Sequence, residues 1–163
     1  MKENYIQLKK SDILRLGIRD FEGNETGEYL EFDLADIELP LKYQDLLEKD
    51  KKNKEHIKNQ LLVIDKRQDV KGKKLMSKNE EDKIRALNDF FKKEAEIYNM
   101  FLGERGVEKL LNGQKLGWTS LQEIDDIIEK QIMPYIDVNK DKILEKVKEK
   151  YGQAIDRTKE VLK

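Results

Sequence analysis

The feature that most restricts the fold of this chain is residues 77–101. Ser77-Lys78-Asn79-Glu80 is a capping box: the Ser77 hydroxyl accepts from the Glu80 backbone N–H, and the Glu80 carboxylate reaches back to Ser77. Apolar residues then recur at Ile84, Leu87, Phe91, Ala95 and Tyr98. Steps of three and four place them on one stripe of a helix. Phe90, Ile97 and Phe101 widen that stripe beyond what one neighbour covers. The spacing therefore predicts a capped amphipathic helix that packs on several partners.

The rest of the chain reads around this helix. Leu14, Leu16 and Ile18 alternate with Arg15, Gly17 and Arg19, and Leu30, Phe32 and Leu34 alternate with polar residues. Period two puts each set on one face of a strand. The turn formers of residues 20–27 join them, which predicts a β-hairpin with a long loop. Ile6 and Leu8 also alternate with polar neighbours, as a short strand would. Because a lone hairpin is marginal in water, its apolar face must lie on helices or on the sheet of another copy.

Leu39-Pro40-Leu41 opens a helix, since proline fits the first turn. No Gly or Pro interrupts residues 41–64, so one long helix with a solvated middle is expected. Residues 65–76 read as a mobile loop. After Phe101, glycines at 103, 106, 113 and 117 mark an elbow around a short apolar turn. Thr119-Ser120-Leu121-Gln122 reads as a second capping box. Leu121, Ile124, Ile127, Ile128, Ile132 and Ile136 form the stripe of the next helix, which Pro134 is expected to break or kink. Residues 139–163 form a further helix, docked on the body or awaiting a partner. The expected fold is mainly α with a small β part (α+β). A β-hairpin region (1–38) packs on a helical body (39–136), and a helical tail (137–163) follows.

Chemistry is harder to find. There is no cysteine and one histidine, His56, in a charged run, so neither a zinc site nor a catalytic dyad has its ligands or partners. Asp137-Val138-Asn139-Lys140-Asp141 opens like a calcium loop, but Lys142 and Lys148 stand where Gly and Glu are required. The acidic pairs Glu31/Asp33, Glu80/Glu81 and Asp125/Asp126 lie in polar stretches that do not separate their pKa values. Gly103 and Gly106 lack the lysine of a phosphate loop. No catalytic residue, cofactor or metal is expected. The 33 basic and 34 acidic residues interleave, which disfavours nucleic acid and membrane surfaces. The most basic short run is Lys71, Lys73 and Lys74. No apolar run has the roughly 18 residues of a membrane span, and residues 1–5 lack a signal-peptide core, so a cytoplasmic protein is expected. Trp118, beside Gly117 at a helix start, is either a core plug or an exposed anchor.

One stretch carries a resemblance. Met100-Phe101-Leu102-Gly103-Glu104-Arg105-Gly106-Val107-Glu108-Lys109-Leu110-Leu111-Asn112-Gly113 leads to a helix ending in Ile132-Met133-Pro134-Tyr135-Ile136. This resembles the tail assembly chaperones of long-tailed bacteriophages and prophages of Gram-positive bacteria. Thr26-Gly27-Glu28-Tyr29-Leu30-Glu31-Phe32-Asp33, followed by Ile37-Glu38-Leu39-Pro40, is similar to the same family. The similarity covers about residues 11–136. Arg105 is an extra residue between the elbow glycines, and residues after 136 have no counterpart.

The resemblance implies a non-enzymatic protein of the bacterial host cytoplasm. It would bind and solubilise the tape-measure protein and help recruit the tail tube protein. The residues suit such a holdase. Phe90, Ile97, Phe101, Leu110 and Trp118 are the expected client groove. The hairpin edge along Leu14, Leu16 and Ile18 or Leu30, Phe32 and Leu34 is the expected surface of a homo-oligomer. The alternatives are a nucleic-acid-associated phage or mobile-element regulator and a small structural adaptor of the virion.

Overall fold

The computed structural model describes residues 1–72 and 75–161. Strands β1 (Ile13–Arg19) and β2 (Glu25–Asp33) form a two-stranded antiparallel sheet. Leu14 lies opposite Phe32 and Leu16 opposite Leu30. The connecting turn is tighter than the sequence suggests. Asp20 closes it by accepting the backbone N–H groups of Glu22 and Asn24 on Oδ1. Thr26 and Gly27 belong to β2, where the register shifts opposite Ile18. Residues 1–12 precede the sheet outside any element.

Helix α1 (Leu39–Asp65) is continuous, with Pro40 in its first turn. Helix α2 (Lys78–Leu102) packs along it. In the connection between them, Asp69 and Val70 are tied to the start of α2. Asp69 accepts the backbone N–H of Asn79 at 3.0 Å, and Lys78 N–H donates to Val70 O at 3.0 Å. The Ser77 hydroxyl accepts the Glu80 N–H at 3.2 Å, as the cap requires. Lys73 and Lys74 of the basic run lie outside the described residues.

Gly103 ends α2 at a φ of +98°, a region that favours glycine. The short helix α3 (Gly106–Leu111) follows, and α4 (Trp118–Ile127) begins after Gly117. The cap of α4 differs from the expected one. Gly117, not Thr119, is the cap residue, and the Ser120 hydroxyl accepts the Gly117 N–H at 2.9 Å.

Pro134 does not end the helix. A π turn at Ile128–Ile132, closed by Met133 N–H donating to Ile128 O, leads directly into α5 (Met133–Val161). A proline ring clashes with the carbonyl four residues back in regular helix. The wider π turn in front of Pro134 relieves that clash. Asp137 and Asn139 therefore lie inside α5 rather than at a helix start. The Asn139 side chain bonds Leu34 O and pins α5 to the end of β2.

One core joins the hairpin to every helix. Ile18, Leu30 and Phe32 from the sheet meet Ile97, Phe101 and Leu102 of α2, and Ile124, Ile128, Ile132 and Ile136 complete it. Each such buried side chain contributes about 1.5–3 kcal/mol. The side chains of the six residues named along the hairpin edge pack on this core. Ile18, Leu30 and Phe32 are buried, and Leu14, Leu16 and Leu34 pack half-buried on the same core. The apolar face of the hairpin is thus satisfied within one chain. Only the backbone edges of the sheet stay open for a second copy.

Candidate binding groove

Helices α1 and α2 are long and charged, and their shared seam is apolar only in places. Ile57 of α1 meets Ala86 and Phe90 of α2 in a small second core. Toward Phe101 the seam opens into a groove of about 730 Å³. Ile57, Phe90 and Ile97 form its floor, and Met100, 60% exposed, stands at its mouth. Lys49, Lys52 and Lys93 rim it. Each of these lysines is paired on its own helix, with Asp45, Glu48 and Glu96 respectively. The rim is solvated and nearly neutral, while the floor is apolar.

The five residues expected to line one client groove do not come together. Phe90 and Ile97 floor the α1–α2 groove but are themselves buried. Phe101 is sealed under the hairpin, with its ring 5.6 Å from Phe32 and 5.7 Å from Tyr43. Leu110 lies half-buried near β1 and α4, beside a different hollow. Trp118 is 56% exposed, yet its ring packs 5.3 Å from Phe90 and 4.9 Å from Phe91. It is neither a core plug nor a free anchor, but a half-open cover over the Phe90–Phe91 pair.

On the side of α2 that faces inward, Ala86, Phe90, Glu94, Ile97, Tyr98, Phe101 and Leu102 are buried, whereas Ile84 is exposed and Leu87, Phe91 and Ala95 are half-buried beside them. Of the apolar stripe only Tyr98 is fully inward, and the residues that widen it, Phe90, Ile97 and Phe101, form the deeper line. That line is interrupted by a carboxyl group, Glu94.

Glu94 is fully buried. Asn53 of α1 donates to Glu94 Oε1 at 3.0 Å and to Phe90 O at 3.3 Å. The Glu94 carboxyl lies beside the Asp50 carboxyl, to which Lys54 donates at 2.8 Å. Burial, then the neighbouring Asp50, push Glu94 up to about 8. One turn further on, the Tyr98 hydroxyl donates to Asp125 of α4. Burial raises both of these groups as well. A strip of polar groups thus joins α1, α2 and α4 behind the groove. Of the acidic pairs singled out in the sequence only Asp125 belongs to it, where burial rather than a polar stretch surrounds it; Asp50 and Glu94 lie far from it along the chain.

Among the described residues no group of three or more His, Cys, Asp or Glu side chains is placed to hold a metal ion. His56 is exposed on the groove wall. No helix among the described residues is long and apolar enough to cross a membrane. Comparison of the chain with models of protein families, with curated proteins and with solved structures returned no match.

Proposed function

We propose that this protein is a non-enzymatic helix-binding chaperone of the phage tail-assembly kind. Its client is the long helical tape-measure protein, which it keeps soluble in the bacterial host cytoplasm while tail tube protein is recruited. The observation that carries the reading is the α1–α2 groove, with its apolar floor at Ile57, Phe90 and Ile97 and its paired, solvated rim. A groove lined at helical spacing suits an amphipathic helix, which places its own apolar residues every three or four positions. The high, balanced charge elsewhere keeps such a protein soluble while it offers apolar surface.

The test is co-expression with the tape-measure protein. Phe90 and Ile97 are unsuitable targets, because their loss damages the core. Met100→Glu places a charge at the groove mouth and leaves the core intact. Reduced co-solubility of the tape-measure protein supports the reading, and unchanged co-solubility counts against this groove. Mass spectrometry of purified particles separates the readings further, since an assembly chaperone is absent from the finished particle and a structural adaptor is present.

A further inference from the structure

The hairpin is a two-stranded sheet, so β1 has an unpaired edge. Leu34 N–H donates to Asp12 O, which makes Asp12 and Leu34 a bonded pair. Antiparallel ladders alternate, so Leu14 and Leu16 direct their backbone groups at β2. By the same alternation Ile13, Arg15 and Gly17 turn their N–H and C=O groups outward. Beside this edge a hollow of about 270 Å³ runs between β1 and α4. Leu16, Ile18, Leu110, Ile124 and Ile127 line its apolar part. An open strand edge beside apolar pockets is the receptor half of strand addition, and native proteins usually cover or blunt such edges.

The same chain holds a matching strand. Residues 1–12 lie outside every element, and Tyr5, Ile6 and Leu8 are 85%, 99% and 92% exposed. Ile6 and Leu8 are two apart, so an extended backbone puts both on one face. Folding back onto its own β1 is disfavoured. Asp12 is held in the ladder, so the chain would have to reverse within Lys9-Lys10-Ser11. Tight hairpin turns call for Gly, Asn or Asp at positive φ, and this tripeptide has none and sets two like charges side by side. A second copy has no such constraint. The rim of the hollow carries Asp20 and Glu123 against one cation, Arg19, so Lys9 and Lys10 at the end of the arm meet an excess of negative charge.

We propose that residues 4–9 of one copy add as a third strand to the β1 edge of a second copy, seating Ile6 and Leu8 in the hollow between β1 and α4. Exchange is reciprocal, so the dimer closes on a two-fold axis and leaves no β1 edge open. The proposal is independent of any client, and it narrows the expected hairpin edge to β1 and supplies the strand that would cover it.

The experiment is sedimentation equilibrium on the full chain, compared with the I6D/L8D double variant. A dimer that becomes monomeric in I6D/L8D, with helical circular dichroism unchanged, is the expected result. In parallel, Leu8→Cys and Glu123→Cys are introduced together into this cysteine-free chain. Oxidation is expected to give a covalent dimer on a non-reducing gel. A monomeric wild type, a dimer that survives I6D/L8D, or a disulfide formed within single chains would each overturn the proposal.

Discussion

Across the α1–α2 interface the buried Glu94 carboxyl lies beside the Asp50 carboxyl, and Asn53 Nδ2 donates to Glu94 Oε1 at 3.0 Å. Two carboxyl groups so placed need a proton between them. Glu94 Oε2 and Asp50 Oδ1 are buried and have no hydrogen-bond partner among the described residues. Asn53 and Lys54 occupy the remaining oxygens, so a proton on Glu94 is what relieves these two. The pair is thus a proton-dependent clasp inside the seam that floors the groove. The charged and titratable groups around it are Asp50 and Lys54 of α1, Tyr98 of α2 and Asp125 of α4.

Stability should therefore fall as pH rises. Glu94 titrates near 4.5 when unfolded and at about 8 when folded. Between those values the unfolded chain has released a proton that the folded chain retains, so each increment of pH favours unfolding. The contribution is fully present below about pH 4.5 and lost once pH passes about 8. Asp125, raised first by its burial, acts in the same direction. One pKa unit corresponds to about 1.4 kcal/mol, and each kcal/mol to about 2–4 °C in a chain of this size. Thermal melts from pH 5 to 9 should show a drop of several degrees. Glu94→Gln keeps a donor toward Asp50 without titrating, so its melts should be flatter and should exceed wild type at pH 9.

Much of this arrangement is legible in the sequence, and the parts that are not have identifiable causes. Pro40 and the Ser77 cap mark where α1 and α2 begin, because these signals act through the local backbone. The alternation of Leu14–Ile18 with Leu30–Leu34 gives the hairpin and its inward face. On the inward line of α2, Phe90, Ile97, Tyr98 and Phe101 are legible as apolar positions, but Glu94 is not, because its neighbours Asp50 and Asn53 lie some forty residues away. The π turn at Ile128–Ile132 has no composition signal of its own; a proline at 134 reads as a break until the preceding turn is seen to widen. The five groove residues scatter because Phe101 turns under the hairpin while Leu110 and Trp118 sit on other helices, a placement only the tertiary packing sets.

Asn79 holds the end of one long helix from the start of the other. Its Nδ2 donates to Ile64 O and Arg67 O, both at 3.1 Å, so it caps the last turn of α1 from the first turn of α2. Asn79→Ala removes both bonds, though Ile64 O keeps the Arg67 N–H at 3.1 Å, and should cost about 0.5–1.5 kcal/mol. Asn79→Asp faces a carboxylate toward two carbonyl oxygens and should cost more. Chemical denaturation of the two variants gives the order directly; an aspartate variant as stable as the alanine variant would remove the capping role.

Gly106 marks the point of closest approach at the elbow. A Cβ added there would stand 2.6 Å from Leu102 Cβ, an atom fixed to the α2 backbone. Leu102 is itself buried in the core and has little room to yield. Gly106→Ala should therefore destabilise by about 1–3 kcal/mol, as overpacking does. Gly117, where an added Cβ meets nothing within 4 Å, is the control. If Gly106→Ala and Gly117→Ala melt together, the elbow is looser than its geometry implies.

Trp118 connects the exterior to the groove through one ring. It is the only tryptophan in the chain, and its indole packs on Phe90, whose opposite surroundings are the groove floor. Aromatic pairs contribute about 0.5–1.5 kcal/mol each beyond area burial. Trp118→Ala, which loses two such contacts from a half-exposed site, should destabilise by about 1–3 kcal/mol, and Trp118→Phe by less. Because Phe90 lies between the indole and the groove, a helical peptide seated there should alter Trp118 fluorescence without touching it. In the Met100→Glu variant the same peptide should leave the emission unchanged. Fluorescence titration of both proteins distinguishes a groove that binds from a seam that merely packs: a peptide response equal in both proteins would place the binding surface elsewhere, on the exposed side of Trp118 beside Leu61 and Leu62.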